Sequence, residues 1–256
     1  MKKSILIALC LFVGIYIVAA FSLDAPIGID TAKENVKGFI GKPDATVDFR
    51  ENESVTHGKF YVLQSDGGEF YVNMQTGDVE RAIFNKAREN SDNIRLTLDQ
   101  ARATALSHAK KNYRNFAQKN MQLTKTELQD YGTGKEYLFI WSEVVNNVET
   151  PNKVLVTLNP NTGEIITYIG LQRSVTVPLE PKILRDDAVK IAASQFKDII
   201  VQQTEAKLSI EYPVENVQKL TWVIEVEGKP RDNVPQGGLV VVDATTGEVI
   251  VVKPYL

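Results

Sequence analysis

The stretch "DATTGEVIVV", Asp243 to Val252, decides how the chain is read. Its first seven residues recur in kind at "NPNTGEI", Asn159 to Ile165, and at "NMQTGDV", Asn73 to Val79. The shared pattern is Asn or Asp, two variable residues, Thr-Gly, an acid, then Val or Ile. The three glycines, Gly77, Gly163 and Gly247, stand 86 and 84 residues apart. A near-constant step with matched chemistry marks an internal repeat.

The phrase has the chemistry of a hairpin corner. An Asn or Asp at the first position can accept from backbone N–H groups further on. Pro160 suits the second position, where φ is preset for a type I turn. The Gly can take positive φ at the last turn position. Apolar strands flank it: "VLVTL" and "IITYI" in one copy, "LVVV" and "VIVV" in another. A calcium loop is the sharper alternative. It needs five or more oxygen ligands at close spacing, and each copy offers two acids at most. An aspartic-protease motif would need Asp-Thr-Gly in direct succession, and no copy has it.

Upstream of each turn the chain predicts a helix. Thr97 and Gln100 form a capping-box pattern, followed by Leu98, Ala101, Ala105, Ala109, Tyr113 and Phe116 at helical steps. "RDDAVKIAASQFKDII" predicts the third helix. Asp186 and Asp187 lie at its start, and Ala188, Ile191, Ala192, Phe196 and Ile199 on one face, with Gln195 the polar exception. "DTAKENVKGFIG" predicts a shorter first helix, with Thr31 and Glu34 as its capping box and Gly41 and Pro43 at its end.

Strands follow each helix. Trp141 and Trp222 fall in matching ones and are expected in the core. Asp66-Gly67 predicts a tight hairpin in the first copy. "NNVETPN" and "EGKPRDNVPQGG" read as long loops at the same place in the other two. "NKARENSDN" and "QRSVTVPLEP" read as linkers. The expected fold is α+β. It comprises three tandem repeats, each a helix packed on a curved antiparallel sheet of about four strands, preceded by an N-terminal hydrophobic helix. The expected bounds are residues 24–92, 96–172 and 173–256. A unit of this length has a thin core, so adjacent copies gain by packing together.

The chain has 256 residues, 43% of them hydrophobic and 24% charged, with a net charge of −3. That balance, with no basic stripe, argues against nucleic acid or acidic polymers as partners. Residues 1–21 pair Lys2 and Lys3 with an uncharged, mostly apolar run from Ser4 to Phe21. Val18 and Ala20 fit a signal-peptidase site, and the run is also long enough to remain as a membrane anchor. Both readings put the rest of the chain outside the cytoplasm, anchored or secreted. Cys10 is the only cysteine and lies in that run, preceded by Leu9 rather than the small residue a lipoprotein signal needs. The exported part would therefore be held without disulfides. Asn52-Glu53-Ser54 is a glycosylation sequon by pattern.

Chemistry is sparse. The only histidines, His57 and His108, are too few and too far apart for a zinc site, and both read as surface or boundary residues. There is no His-Glu-x-x-His and no Gly-x-Ser-x-Gly. "PQGGLV" opens no helix and is no phosphate loop. No residue is assigned as catalytic, cofactor-binding or metal-ligating.

A helix, a Trp-bearing strand such as "TWVIEVEG", then "GLVVVDATTGEVIVV" resembles the PepSY domain. Residues 96–172 and 173–256 carry the resemblance best, and 24–92 look like a degenerate relative. The resemblance implies an extracytoplasmic, non-enzymatic protein, needing no cofactor, that modulates or inhibits a peptidase. It supplies no catalytic residue to carry over, and this chain has no peptidase domain attached. A structural, envelope-associated protein binding cell-surface polymers or surface proteins is the alternative, and an enzyme is disfavoured. The long loop bearing Lys229, Pro230, Arg231 and Pro235 is the candidate partner-binding element, with the plainer reading of a solvated loop placed ahead of it. An exposed strand edge could also take up an extended peptide.

Overall fold

The computed structural model describes residues 25–255, apart from 56, 57, 66, 198, 215 and 216. The N-terminal apolar run, Cys10, His57 and Asp66 lie outside the described residues. The protein is mixed α+β and dominated by sheet.

Its elements fall into three units. The first is α1 (Ile29–Ile40) with β1 (Asp48–Val55), β2 (Gly58–Ser65), β3 (Gly68–Asn73) and β4 (Val79–Ile83). The second is α2 (Leu98–Asn112) with β5 (Met121–Asp130), β6 (Lys135–Val145), β7 (Val148–Leu158) and β8 (Ile165–Leu171). The third is α3 (Arg185–Ala193) with β9 (Val201–Val214), β10 (Val217–Arg231), β11 (Val234–Asp243) and β12 (Val249–Pro254). Small residues on the inner helix faces let each helix lie close to the sheet. Ala32 and Val36, Ala101, Ala105 and Ala109, and Ala188 and Ala192 are all fully buried.

The Thr-Gly phrase is a turn in all three units. Oδ1 of Asn73, Asn159 and Asp243 each accepts from the backbone N–H groups two and three residues on, at 2.8–3.2 Å. The threonine hydroxyls accept from the N–H of Asp78, Glu164 and Glu248 at 3.2 Å. Gly77, Gly163 and Gly247 have φ of 75°, 79° and 79°, which a side chain would strain. Each strand leaving the turn carries a bulge at the same point, in front of Arg81, Thr167 and Val251.

A second device ties each helix to its sheet. Tyr61 Oη, Tyr137 Oη and Trp222 Nε1 donate to the carbonyls of Ile27, Leu96 and Ile183 at 2.8, 3.1 and 2.8 Å. Each acceptor immediately precedes a helix N-cap. Trp141 and Trp222 are both buried and lie in matching strands, as expected. They differ in register, however. Trp141 pairs with Val154, whereas Trp222 pairs with Val242 and Tyr137 with Leu158, both next to a turn. Tyr137 is the true counterpart of Trp222, because a buried ring with a polar tip is what the helix entry requires.

The strands do not form three separate sheets, as the repeat reading expected. They join in one 12-stranded sheet. Strand β4 pairs antiparallel with β8, so the first two units make a continuous sheet ordered β1-β2-β3-β4-β8-β7-β6-β5. One hydrophobic core serves both units, and the third has its own. A thin core of one helix on four strands gains by such sharing.

Several local expectations are corrected. The Thr97–Gln100 capping box is present, with Gln100 N donating to Thr97 Oγ1 at 3.3 Å and Thr97 N to Gln100 Oε1 at 2.9 Å. The Thr31–Glu34 box is not. Helix α1 begins at Ile29 with Gly28 as N-cap, so Thr31 is already inside the first turn, and Glu34 pairs with Lys37. Helix α3 ends at Ala193, before Gln195, Phe196 and Ile199. There Ser194 Oγ donates to the Ile191 carbonyl, and the following N–H groups bond three residues back, tightening the turn. The stretches "NNVETPN" and "EGKPRDNVPQGG" are not loops. They are hairpin ends turned by Asn146-Asn147 and Asp232-Asn233, all four at φ of 50–64°. Two successive positive-φ residues make the tight turn that suits strand twist.

The two linkers are structured. Asn85–Arg88 is a 3₁₀ turn, and Asn159 Nδ2 holds the segment by donating to the Ala87 and Glu89 carbonyls. In the other linker Val177 and Leu179 pack on the third unit's core, and Gln218 holds Ser174 and Thr176.

Candidate partner-binding surface

The expected site residues lie on a projecting arm of sheet. Lys229, Pro230 and Arg231 end β10, and Pro235 is near the start of β11, all exposed. The arm is anchored at its base, where Lys229 N donates to the Ile200 carbonyl at 2.8 Å. The glycines of "PQGG" belong to the same base. Gly237 has a φ of 112°, and a Cβ there would collide with the Val226 carbonyl, so close strand approach explains them. Beside the base is a groove of about 500 Å³, lined by Glu225, Glu227, Pro230, Pro235 and Tyr255 among others. Burial and the hydrogen-bonded Glu225 carboxylate push the Tyr255 phenol up to about 12.

The second unit has the same arm, and there it is occupied. Its tip residue Val148 is fully buried in the third unit's core, beside Trp222 and Ile210. Val148 and Glu149 pair in parallel with Leu208 and Ser209 of β9. Glu149 also accepts from Lys207 Nζ and Ser142 Oγ, both at 2.8 Å. Burial works against its charge, but those hydrogen bonds and the Lys207 ammonium hold its carboxyl below the usual range. Val234 stands 86 residues after Val148, next to the matching turn, and is 49% exposed. One arm is seated in a neighbouring unit, and the other ends in solvent.

Pro235 replaces Glu149 at the matching position. Proline removes an N–H donor. The free arm therefore cannot reproduce the seated arm's ladder in full, and its recognition falls more on Lys229, Arg231 and Val234. Sequence reasoning found the arm but not Val148 or Val234. The usable signal was a pair of Asn or Asp residues followed by Val in the second and third units, 86 residues apart.

A buried polar chain lies at the junction of all three units. Arg173, in the second linker, makes two hydrogen bonds to Glu80 at 2.6 and 2.7 Å, and Asn73 Nδ2 donates to the same carboxylate at 2.9 Å. Arg173 N donates to Asn152 Oδ1, whose Nδ2 donates to Glu143 at 2.7 Å. Glu143 also accepts from Thr150 and Lys119. Each carboxylate is partnered, so the chain serves as a joint.

His108 is a boundary residue, between α1, α2 and β8. Burial, with a smaller contribution from Lys111, lowers its pKa to about 4. No group of three His, Cys, Asp or Glu among the described residues could hold a metal ion.

Residues 182–252, nearly all of the third unit, match the family model described as "peptidase propeptide and YPEB domain", PepSY. The chain carries a PepSY domain. Outside it, residues 64–172 match the model of the YcdB and YcdC repeated domain. That match starts in β2 and runs through β8, so it spans the junction between the first two units. The PepSY domain is thus the unit that bears the free arm. No curated protein matches the chain. Among solved structures, the C-terminal domain of YpeB from Bacillus megaterium shares the fold, at 16% identity and a TM-score of 0.50, over 91% of this chain and 100% of that one. A protein from Eubacterium rectale aligns at 13% identity with a TM-score of 0.43, over 88% of this chain and 82% of its own.

Proposed function

We propose that this chain is a non-enzymatic, extracytoplasmic binding protein that modulates or inhibits a peptidase, and that its three units are repeats of one module. The observation that carries the binding role is the contrast between Val148 and Val234. The same arm is seated in a neighbouring unit once and ends free once, on the PepSY domain. A rigid, anchored hairpin with an exposed apolar tip and two cations is suited to gripping a folded partner. The family description supplies the peptidase, since PepSY includes peptidase propeptides. The location outside the cytoplasm rests on the apolar run from Ser4 to Phe21.

The test uses the full chain as bait on the native extracellular and membrane fraction, with crosslinking and mass spectrometry. The expected result is capture of a peptidase whose activity falls when the purified chain is added back. Replacing Lys229 and Arg231 by Ala should weaken both capture and inhibition. Capture of wall or surface-layer components alone, with no peptidase among them, would overturn the reading.

A further inference from the structure

The junction of the first two units follows a local two-fold. Strand pairing matches Arg81 with Ile169, Ala82 with Tyr168 and Ile83 with Thr167. The 86-residue step from Gly77 to Gly163 makes Arg81, Ala82 and Ile83 the counterparts of Thr167, Tyr168 and Ile169. Ala82 therefore pairs with its own counterpart, and Arg81 and Ile83 each pair with the other's, about an axis through Ala82 and Tyr168. The helices obey the same axis. Phe39 stands twelve residues after Ile27 and His108 twelve after Leu96, and their rings meet at 5.8 Å over Tyr168. Two units of this kind therefore join through the outer edge of their last strand.

In the third unit that last strand is β12, and among the described residues it ends the sheet, paired only with β11. Val252 is its counterpart of Ala82 and Tyr168, five residues after Gly247 as they are after Gly77 and Gly163, and is 38% exposed. Tyr255 N–H points inward, to the Gly237 carbonyl. By strand alternation Val252 N–H and C=O point outward, unpaired on the open edge. In β4 the same parity directs Phe84 N–H to the Ile166 carbonyl of β8.

We propose that β12 is a self-association edge, on which a second copy of this chain docks antiparallel about a two-fold through Val252. Such a contact is isologous and closes as a dimer, with the two sheets running into one. Val251 would face the partner's Lys253, the same aliphatic-with-cation combination as Ile169 facing Arg81. Pro254 brings no donor where Phe84 has one, so the new ladder is short, centred on the two Val252 residues. Gln195, twelve residues after Ile183, takes the station of Phe39 and His108 and is exposed. A short ladder with glutamines on its axis makes a reversible dimer, weaker than the internal junction. Lys and Pro on an edge can instead serve to block pairing, and a monomer is what that role would give. The proposal does not depend on the peptidase reading.

The test uses the full chain carrying Cys10→Ser, in mild detergent because of its apolar N-terminus. In a hydrogen-bonded antiparallel pair the Cα atoms lie about 5.5 Å apart, within disulfide reach. The expected result is a dimer by light scattering at about 100 μM, with Val252→Cys crosslinking under mild oxidation at least about tenfold faster than Val217→Cys, an exposed control at the start of β10. Val252→Asp should return the chain to a monomer with an unchanged circular dichroism spectrum. A monomer at that concentration would overturn the proposal. So would a dimer in which the two cysteine variants crosslink at the same rate, since it would use another surface.

Discussion

Phe39 and His108 occupy the same station on two different helices, and their rings meet edge to face at 5.8 Å over Tyr168. Two units share one core there, and the only described histidine lies half-buried at its boundary. Its Nε2 lies 3.1 Å from Asn112 Nδ2.

That burial gives a pH dependence. His108 titrates near 4 when folded and near 6.5 when unfolded. Between those values the unfolded chain takes up the proton first, so stability is full above about 6.5 and is lost as pH falls towards 4. The loss is on the order of 3 kcal/mol at most, at about 1.4 kcal/mol per pH unit. His108→Phe, which repeats Phe39, should flatten the curve of denaturation midpoint against pH between 4 and 7. An unchanged slope would mean that other groups set it.

The ring anchors should be separable from packing. Tyr137→Phe and Tyr61→Phe keep the ring and remove the bond to the helix entry. Each should cost about 1 kcal/mol in urea unfolding, or somewhat more if the carbonyl is left unsatisfied. Tyr131→Phe, at an exposed position, is the control and should be near neutral.

The two arms should respond oppositely. Val148→Ala removes a fully buried tip and should cost about 2 kcal/mol. Val148→Asp should cost more and open the linker at residues 172–181 to limited proteolysis. Val234→Asp should leave stability within about 0.5 kcal/mol, because the tip is in solvent, yet reduce partner capture. Equal stability losses at the two valines would contradict the free tip.

The Arg173–Glu80 pair should be costly to break and cheap to remove whole. Glu80 is 3% exposed at its side chain, so Arg173→Met strands a buried carboxylate at a cost of about 3–5 kcal/mol. Adding Glu80→Gln should recover much of that loss. Additive losses in the double variant would show that the two side chains act independently.

The sequence by itself determined the three Thr-Gly turns, the start of α2 and the order of helices and strands. These are local: Asn73, Asn159 and Asp243 bond to backbone within three residues, and Thr97 to Gln100 across one helical turn. The buried alanines of α2 and α3 followed from residue spacing, although Leu98, placed on the same stripe, is exposed and Phe196 and Ile199 lie beyond the end of α3. Where local rules misled, the deciding partner was distant in sequence. "NNVETPN" looked like a loop because a polar stretch gives no sign of a β9 edge some 60 residues on, into which Val148 inserts. Trp141 looked like the partner of Trp222 because residue type is visible and register is not. Only the tertiary structure decided that β4 meets β8, that the strands of all three units form one sheet, and that one arm and one edge of the last unit stay open among the described residues. Strand edges carry the same backbone donors and acceptors whatever their sequence, so which edges meet is settled by the packing of whole units.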